Sequence, residues 1–208
     1  MTGVTYASRQ IDDPELLKTL PEYLVAMLRE TNGFIHFDGG LHLRGACLSP
    51  AWHSIRAASE GALSFHTLYQ DVQPEDIPFA EDCMGDQFLL RRGSVHRLAS
   101  ETGGVEDLAM TLPAFFRRAE ADPVEFLQMH PLLQFQAEGG RLTPGQLLAA
   151  YPPFFIQEAS QGVTLRAIST EDRRSFLADM AKQVRDVPDG ATVQFEVVRG
   201  TRSRPTMR

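Results

Sequence analysis

Ile77-Pro78-Phe79-Ala80-Glu81-Asp82-Cys83-Met84-Gly85-Asp86-Gln87-Phe88-Leu89-Leu90 decides how the rest of the chain is read. It runs from an acidic, turn-forming loop into an alternating strand that begins at Gln87, with Phe88 and Leu90 on one face. It also lies in a charge desert. Between Arg56 and Arg91 there is no Lys or Arg, whereas Glu60, Asp71, Glu75, Asp76, Glu81, Asp82 and Asp86 supply seven acids. That window alone equals the net charge of −7 carried by the whole 208-residue chain. A concentrated acidic surface attracts and orients a basic partner and repels nucleic acid.

Working outward, Asp38-Gly39-Gly40 separates Phe34–Phe37 from Leu41–Arg44 as a short hairpin. Downstream of the quoted stretch, strands are predicted at Gln87–Arg91, Val95–Ala99 and Val105–Met110, joined at Arg92-Gly93 and Glu101-Thr102-Gly103-Gly104. This is an antiparallel meander. Four Xaa-Pro pairs (Asp13-Pro14, Ser49-Pro50, Asp122-Pro123 and Thr143-Pro144) carry the signature of helix starts. A side-chain oxygen caps the free N–H groups, and proline takes the first position. A helix from Pro21 presents Leu24, Val25 and Leu28, and Asn32-Gly33 has the composition of a left-handed C-cap. Further helices are predicted over 50–59, from Thr111 with the stripe Leu112, Phe115, Phe116 and Ala119, from Pro123 to His130, and over 143–150.

The remainder reads as a strand over 163–168, an amphipathic helix over 170–185 and a strand at Thr192–Val198. The fold class is therefore α+β: an N-terminal helix, a central antiparallel sheet backed by helices, and a C-terminal strand–helix–strand extension. Residues 1–130 form the main domain, residues 131–199 an extension docked on it, and residues 200–208 a disordered basic tail. The aromatic run Tyr151-Pro152-Pro153-Phe154-Phe155 either forms an exposed apolar platform or packs the extension onto the sheet, and packing is the expectation.

Bulk composition narrows the function classes. At 43% hydrophobic and 23% charged the chain is ordinary globular material. No window approaches about 18 uninterrupted apolar residues, so no membrane span is expected. The first residues lack a basic start and an apolar core, which predicts no secretory signal and a cytoplasmic location. Cys47 and Cys83 have no ligand-like spacing and are expected to be small apolar fillers. Arg outnumbers Lys 18 to 2, but the negative total argues against a nucleic-acid footprint.

Catalytic constellations are weak. His36 and His42 flank one hairpin and, with Asp38, supply three groups of the four a structural zinc needs, so no metal site is expected. Ser49, Ser64 and Ser94 have no nucleophile elbow around them. Cys83 sits among acids that blunt a thiolate. The paired glycines form neither GxGxxG nor a P-loop, so no phosphate-binding cofactor is expected. Trp52, the only tryptophan, is either core or an interface anchor.

The helix Pro21-Glu22-Tyr23-Leu24 … Leu28 … Asn32-Gly33, with its following hairpin, resembles the opening of the SUKH superfamily. Ile77-Pro78-Phe79-Ala80-Glu81-Asp82 … Gly85-Asp86-Gln87-Phe88-Leu89-Leu90 is similar to that family's central strand motif. Gly93-Ser94-Val95-His96-Arg97-Leu98, Glu101-Thr102-Gly103 and the helix from Ala109 through Leu112 to Phe115-Phe116 resemble its close. The resemblance covers Pro21 to Leu127. It implies a non-enzymatic α+β domain without cofactors or shared catalytic residues. Many bacterial members are immunity proteins that neutralise a polymorphic toxin, often a nuclease, while yeast members regulate cell-wall assembly. The resemblance thus points to a protein-binding domain that occludes a cognate, basic toxin, with a scaffold module for an endogenous protein as the alternative. The expected partner-binding residues are Glu75, Asp76, Glu81, Asp82 and Asp86, with Trp52 as anchor.

Overall fold

The computed structural model describes residues 3–8, 10–154 and 156–185. The strand expected at Thr192–Val198 and the tail at 200–208 lie outside the described residues. In chain order the elements are β1 (Tyr6–Ala7), α1 (Pro14–Leu17), α2 (Glu22–Glu30), β2 (Phe34–His36), β3 (Leu41–Leu43), α3 (Ile55–Ser59) and α4 (Phe65–Leu68). Next come β4 (Ile77–Asp82), β5 (Gln87–Arg91), β6 (Ser94–Leu98), β7 (Val105–Met110), α5 (Leu112–Ala121), α6 (Pro123–Phe126) and α7 (His130–Ala137). The chain continues through β8 (Gln146–Tyr151), β9 (Thr164–Ser169) and α8 (Thr170–Val184). The class is α+β, as the sequence predicts. β1 to β7 form one seven-stranded antiparallel sheet in sequence order, and β8 and β9 form a second, two-stranded sheet.

Side chains alternate across a strand, so the strand register assigns each residue to a face. Ala80, Phe88, Arg97 and Glu106 lie in one row, and Leu90, Val95 and Met110 in another on that same face. This face packs against α5 to α7. The Phe115 ring lies 4.7 Å from Phe88 and 5.4 Å from Phe79, centroid to centroid. Leu24 and Leu28 of α2 join the same core. Leu89 and Leu98 turn the other way, onto Ala58, Phe65, Tyr69, Ala178 and Ala181. Helices therefore cover both faces of the sheet, so β5 is buried on both from Gln87 to Leu90, where the sequence predicts a half-buried alternating strand.

Several sequence expectations need correction. The acidic "loop" from Ile77 is itself a strand, β4, paired with β3 and β5 and buried from Pro78 onward. The helix expected over 50–59 is broken. A 3₁₀ turn spans Ala51–His53, and α3 starts only at Ile55. The Gly45 N–H donates to the His53 carbonyl and the Ile55 N–H to the Gly45 carbonyl, so residues 53–55 are pulled into a bridge with the β3 end. The Ser54 hydroxyl then caps α3 by accepting from the Ala57 N–H. The helix expected over 143–150 is β8: the run Leu147-Leu148-Ala149-Ala150 is buried throughout and pairs with β9. Thr143-Pro144 opens a turn closed by the Gln146 side chain. α2 ends at Glu30, and Asn32 does not cap it. The Asn32 amide instead pins two loops, donating to the Gln10 and Ala46 carbonyls and accepting from the Ala46 N–H. Gly33, at φ +79°, supplies the turn.

The C-terminal addition docks through its backbone and α8. The Leu148 N–H donates to the Cys83 carbonyl at 2.8 Å, and the Arg173 Nε to the Met84 carbonyl at 3.0 Å. Tyr151 and Phe154 remain about two-fifths exposed, so these two rings do not do the docking. Among the described residues no helix is long and apolar enough to cross a membrane.

Candidate functional site

Register sets one transverse row across all seven strands: Tyr6, Ile35, His42, Glu81, Gln87, Leu98 and Val105. Its three central members are polar and buried. Two of them, His42 and Glu81, line a cavity of about 10 Å³ together with Trp52, Gln146 of β8 and Thr170 at the start of α8. That is room for roughly one water.

Every link of this row is short. Glu81 is 1% exposed and Arg44 fully buried, and Arg44 Nη2 donates to Glu81 Oε2 at 2.6 Å and to Gln87 Oε1 at 2.7 Å. Gln87 Nε2 returns a bond to Glu81 Oε2 at 3.2 Å. His42 Nδ1 faces Glu81 Oε1 at 2.8 Å, and His42 Nε2 faces His53 Nδ1 at 2.9 Å. His53 Nε2 meets the Asn32 carbonyl at 2.9 Å. A carbonyl only accepts, so His53 carries its proton on Nε2 and accepts at Nδ1. His42 therefore donates from Nε2, and a bond to Glu81 requires a further proton on the Nδ1···Oε1 line.

The electrostatics follow from burial and from Arg44. Burial opposes ionisation of Glu81, but the Arg44 charge and the His42 bond outweigh it and hold its pKa at about 2. Burial lowers the His42 pKa, against the pull of Glu81. The hydrogen-bond count keeps one proton within the pair. Burial, then the neighbouring His42, lowers the His53 pKa to about 4, consistent with a neutral ring. Burial lowers Arg44 to about 10, which leaves it a cation at neutral pH. Chemically this is a carboxylate–imidazole–imidazole relay, but its far end is a backbone carbonyl with no reacting group attached.

The five acids expected to form one surface are divided by the structure. Glu81 belongs to the relay. Asp82, 1% exposed, folds the β4–β5 turn. Its Oδ1 accepts the Met84, Gly85 and Asp86 N–H groups at 2.9–3.1 Å, and its Oδ2 accepts from Arg97 Nη2. Burial and then the Asp86 charge raise the Asp82 pKa to about 7, against Arg97 and the amide donors. Asp86 shares Arg97 at 2.8 Å and accepts from the Ser100 N–H. Asp76, 3% exposed, is clamped from two sides by Arg91 at 2.7 Å. Only Glu75 is fully at the surface, and Asp86 partly so. The expectation of a single exposed acidic patch is thus corrected: unpaired in sequence, most of these acids meet arginines from distant strands.

Trp52 is half-buried, its ring 5.2 Å from those of Tyr6 and His42 and 5.4 Å from His53. His36 pairs with Leu41 while His42 pairs with Ile35, so the two histidines lie on opposite faces of the hairpin and do not converge. Among the described residues no group of three or more His, Cys, Asp or Glu is placed to hold a metal ion. Cys47 and Cys83 are buried free thiols, each with its pKa raised chiefly by burial.

Sequence reasoning missed Gln87 as a member of the row, and His53 and Arg44 as its hydrogen-bonding neighbours. A signal was present: in Leu41-His42-Leu43-Arg44 the two polar residues share a face. A polar face on an otherwise apolar hairpin marks an internal network. His53 carried no comparable mark, because only the broken helix brings it back to His42. No protein-family model matches this chain, and no curated protein matches it at a significant level.

Proposed function

We propose that this protein is a non-catalytic protein-binding domain that acts as an immunity-type inhibitor, occluding a cognate bacterial toxin. The observation that carries this reading is one outer strand of the large sheet, β7. Among the described residues β7 pairs only with β6, and it turns Glu106 and Asp107 to solvent. An open edge offers backbone donors and acceptors to a partner strand, and acids along it select a basic partner. Asp71 and Glu75 add exposed acid to the same chain. A basic, phosphate-holding nuclease suits this charge, and steering by the net −7 would speed its capture. The resemblance of Pro21–Leu127 to the SUKH superfamily supports the same reading, as does the internal use of His42, His53 and Glu81.

Expressing the neighbouring upstream gene with and without this chain tests it. The reading predicts that the neighbour alone arrests growth and that co-expression restores it. A harmless neighbour would sink the reading in favour of a scaffold module bound to an endogenous protein. Charge reversal at Glu106 and Asp107 should slow association by about tenfold or more at low salt and have little effect at high salt, measured by stopped-flow mixing with the captured toxin.

A further inference from the structure

A groove of about 310 Å³ runs between the α3–α4 segment and the start of α8. Its apolar wall includes Trp52, Leu63 and Leu68, and its opposite wall includes Gly145, Glu171 and Arg174. Leu63 is 50% exposed although it faces a concave surface. The Gly145 backbone approaches the indole closely, since a Cβ there would lie 3.0 Å from Trp52 Nε1.

The charge beside this groove is out of balance. The Arg174 guanidinium lies 4.6 Å from the Phe65 ring centroid, and the Arg44 guanidinium 5.5 Å from the same centroid. One buried carboxylate, Glu81, serves Arg44. Arg174 has no ion-pair partner among the described residues. Its Nε and Nη2 are buried without a hydrogen-bond acceptor, and so is Arg44 Nε. These donors are sealed from solvent and lie out of reach of a ligand in the open groove, but two cations against one ring with one carboxylate leave positive charge beside it. Glu171 also lines the groove, but it is an exposed side chain in the first turn of α8. Arg174 lines the groove as a cation without an ion pair among the described residues, so the groove selects an anion, and its apolar wall favours one with a hydrocarbon body. The volume suits a small molecule, at the lower end of ligand sites of about 300–1,000 Å³.

We propose that this groove binds a small carboxylic acid with an apolar body, its carboxylate on Arg174 and its hydrocarbon between Trp52 and Leu63. The site does not depend on the toxin-binding reading. Because Trp52 is the only tryptophan, its emission reports occupancy directly.

The test titrates the full chain with sodium hexanoate and, separately, with hexylammonium chloride, following Trp52 emission and backbone amide shifts by NMR. Hexanoate should give a saturable change centred on Trp52, Thr170 and Arg174, and hexylammonium none. Arg174→Gln should weaken hexanoate binding by about tenfold or more, the worth of a charge-assisted hydrogen bond. Arg174→Lys should fall between it and the parent, and Leu63→Ser should weaken binding without lowering the melting temperature. If Arg174→Gln does not fold, the comparison of the two probes on the parent chain and the Leu63→Ser variant decides. Equal response to both probes, binding that survives Arg174→Gln, shifts centred elsewhere, or no saturation would overturn the proposal.

Discussion

At the scale of single residues, the acids that look alike in the sequence do different work. Asp76, Glu81 and Asp82 hold arginines inside the fold, whereas Glu75 faces solvent. His53 gives this difference a pH signature. Its pKa is about 4 in the fold and 6.5 when exposed, so the unfolded chain binds the extra proton between those values. Its contribution is complete above pH 6.5 and is lost as pH falls towards 4. A His53→Gln variant should therefore be destabilised at pH 7.5, and its deficit relative to the parent should shrink by roughly 2–3 kcal/mol by pH 4.5. Urea denaturation at the two pH values checks this. The difference between variant and parent isolates the histidine, because Asp82, raised to about 7, acts with the opposite sign in both proteins. A deficit independent of pH would contradict a neutral, buried His53.

At the scale of elements, strands governed by period-two patterning were legible, and elements set by distant partners were not. β5, β6 and β7, the hairpin of β2 and β3, and α2, α5 and α8 follow directly from alternation, turn residues and 3.6-residue stripes. β4 was hidden because Glu81 and Asp82 made it look like a solvated loop, and only Arg44 and Arg97 from other strands reveal why it is buried. β8 was hidden because Leu147-Leu148-Ala149-Ala150 is apolar all round, a pattern that fits a helix or a doubly covered strand equally well. The broken helix at Ser54 depends on Gly45, nine residues upstream, and no local signal encodes that. The candidate site suffered the same way: its members come from β3, β4, β5 and the turn before α3. Leu148 tests the strand assignment. It is fully buried and its N–H is bonded to the carbonyl of Cys83, in the turn between β4 and β5 of the large sheet. Leu148→Ala should cost about 2–5 kcal/mol, read by chemical denaturation. The Leu148 amide should exchange with solvent only through global opening.

At the scale of the whole molecule, the polar row and the C-terminal addition are one construction. β8 and α8 lie over His42 and Glu81, Arg173 reaches back to Met84 and Glu101, and Leu148 belongs to the same core as Phe88. Unfolding should therefore be a single cooperative step. Trp52 emission, which reports the junction, and far-ultraviolet circular dichroism should give coincident denaturation curves. Two separated transitions would mean that the addition folds on its own. The central claim is that the acidic stretch divides into an inner set that holds the sheet and an outer set left for partners. Denaturant unfolding of Glu81→Ala beside Glu75→Ala measures it most directly. Removing Glu81 leaves Arg44 buried and unpaired and should cost about 3–5 kcal/mol, while removing Glu75 should stay within about 0.5 kcal/mol. Equal and small losses for the two variants would contradict the account.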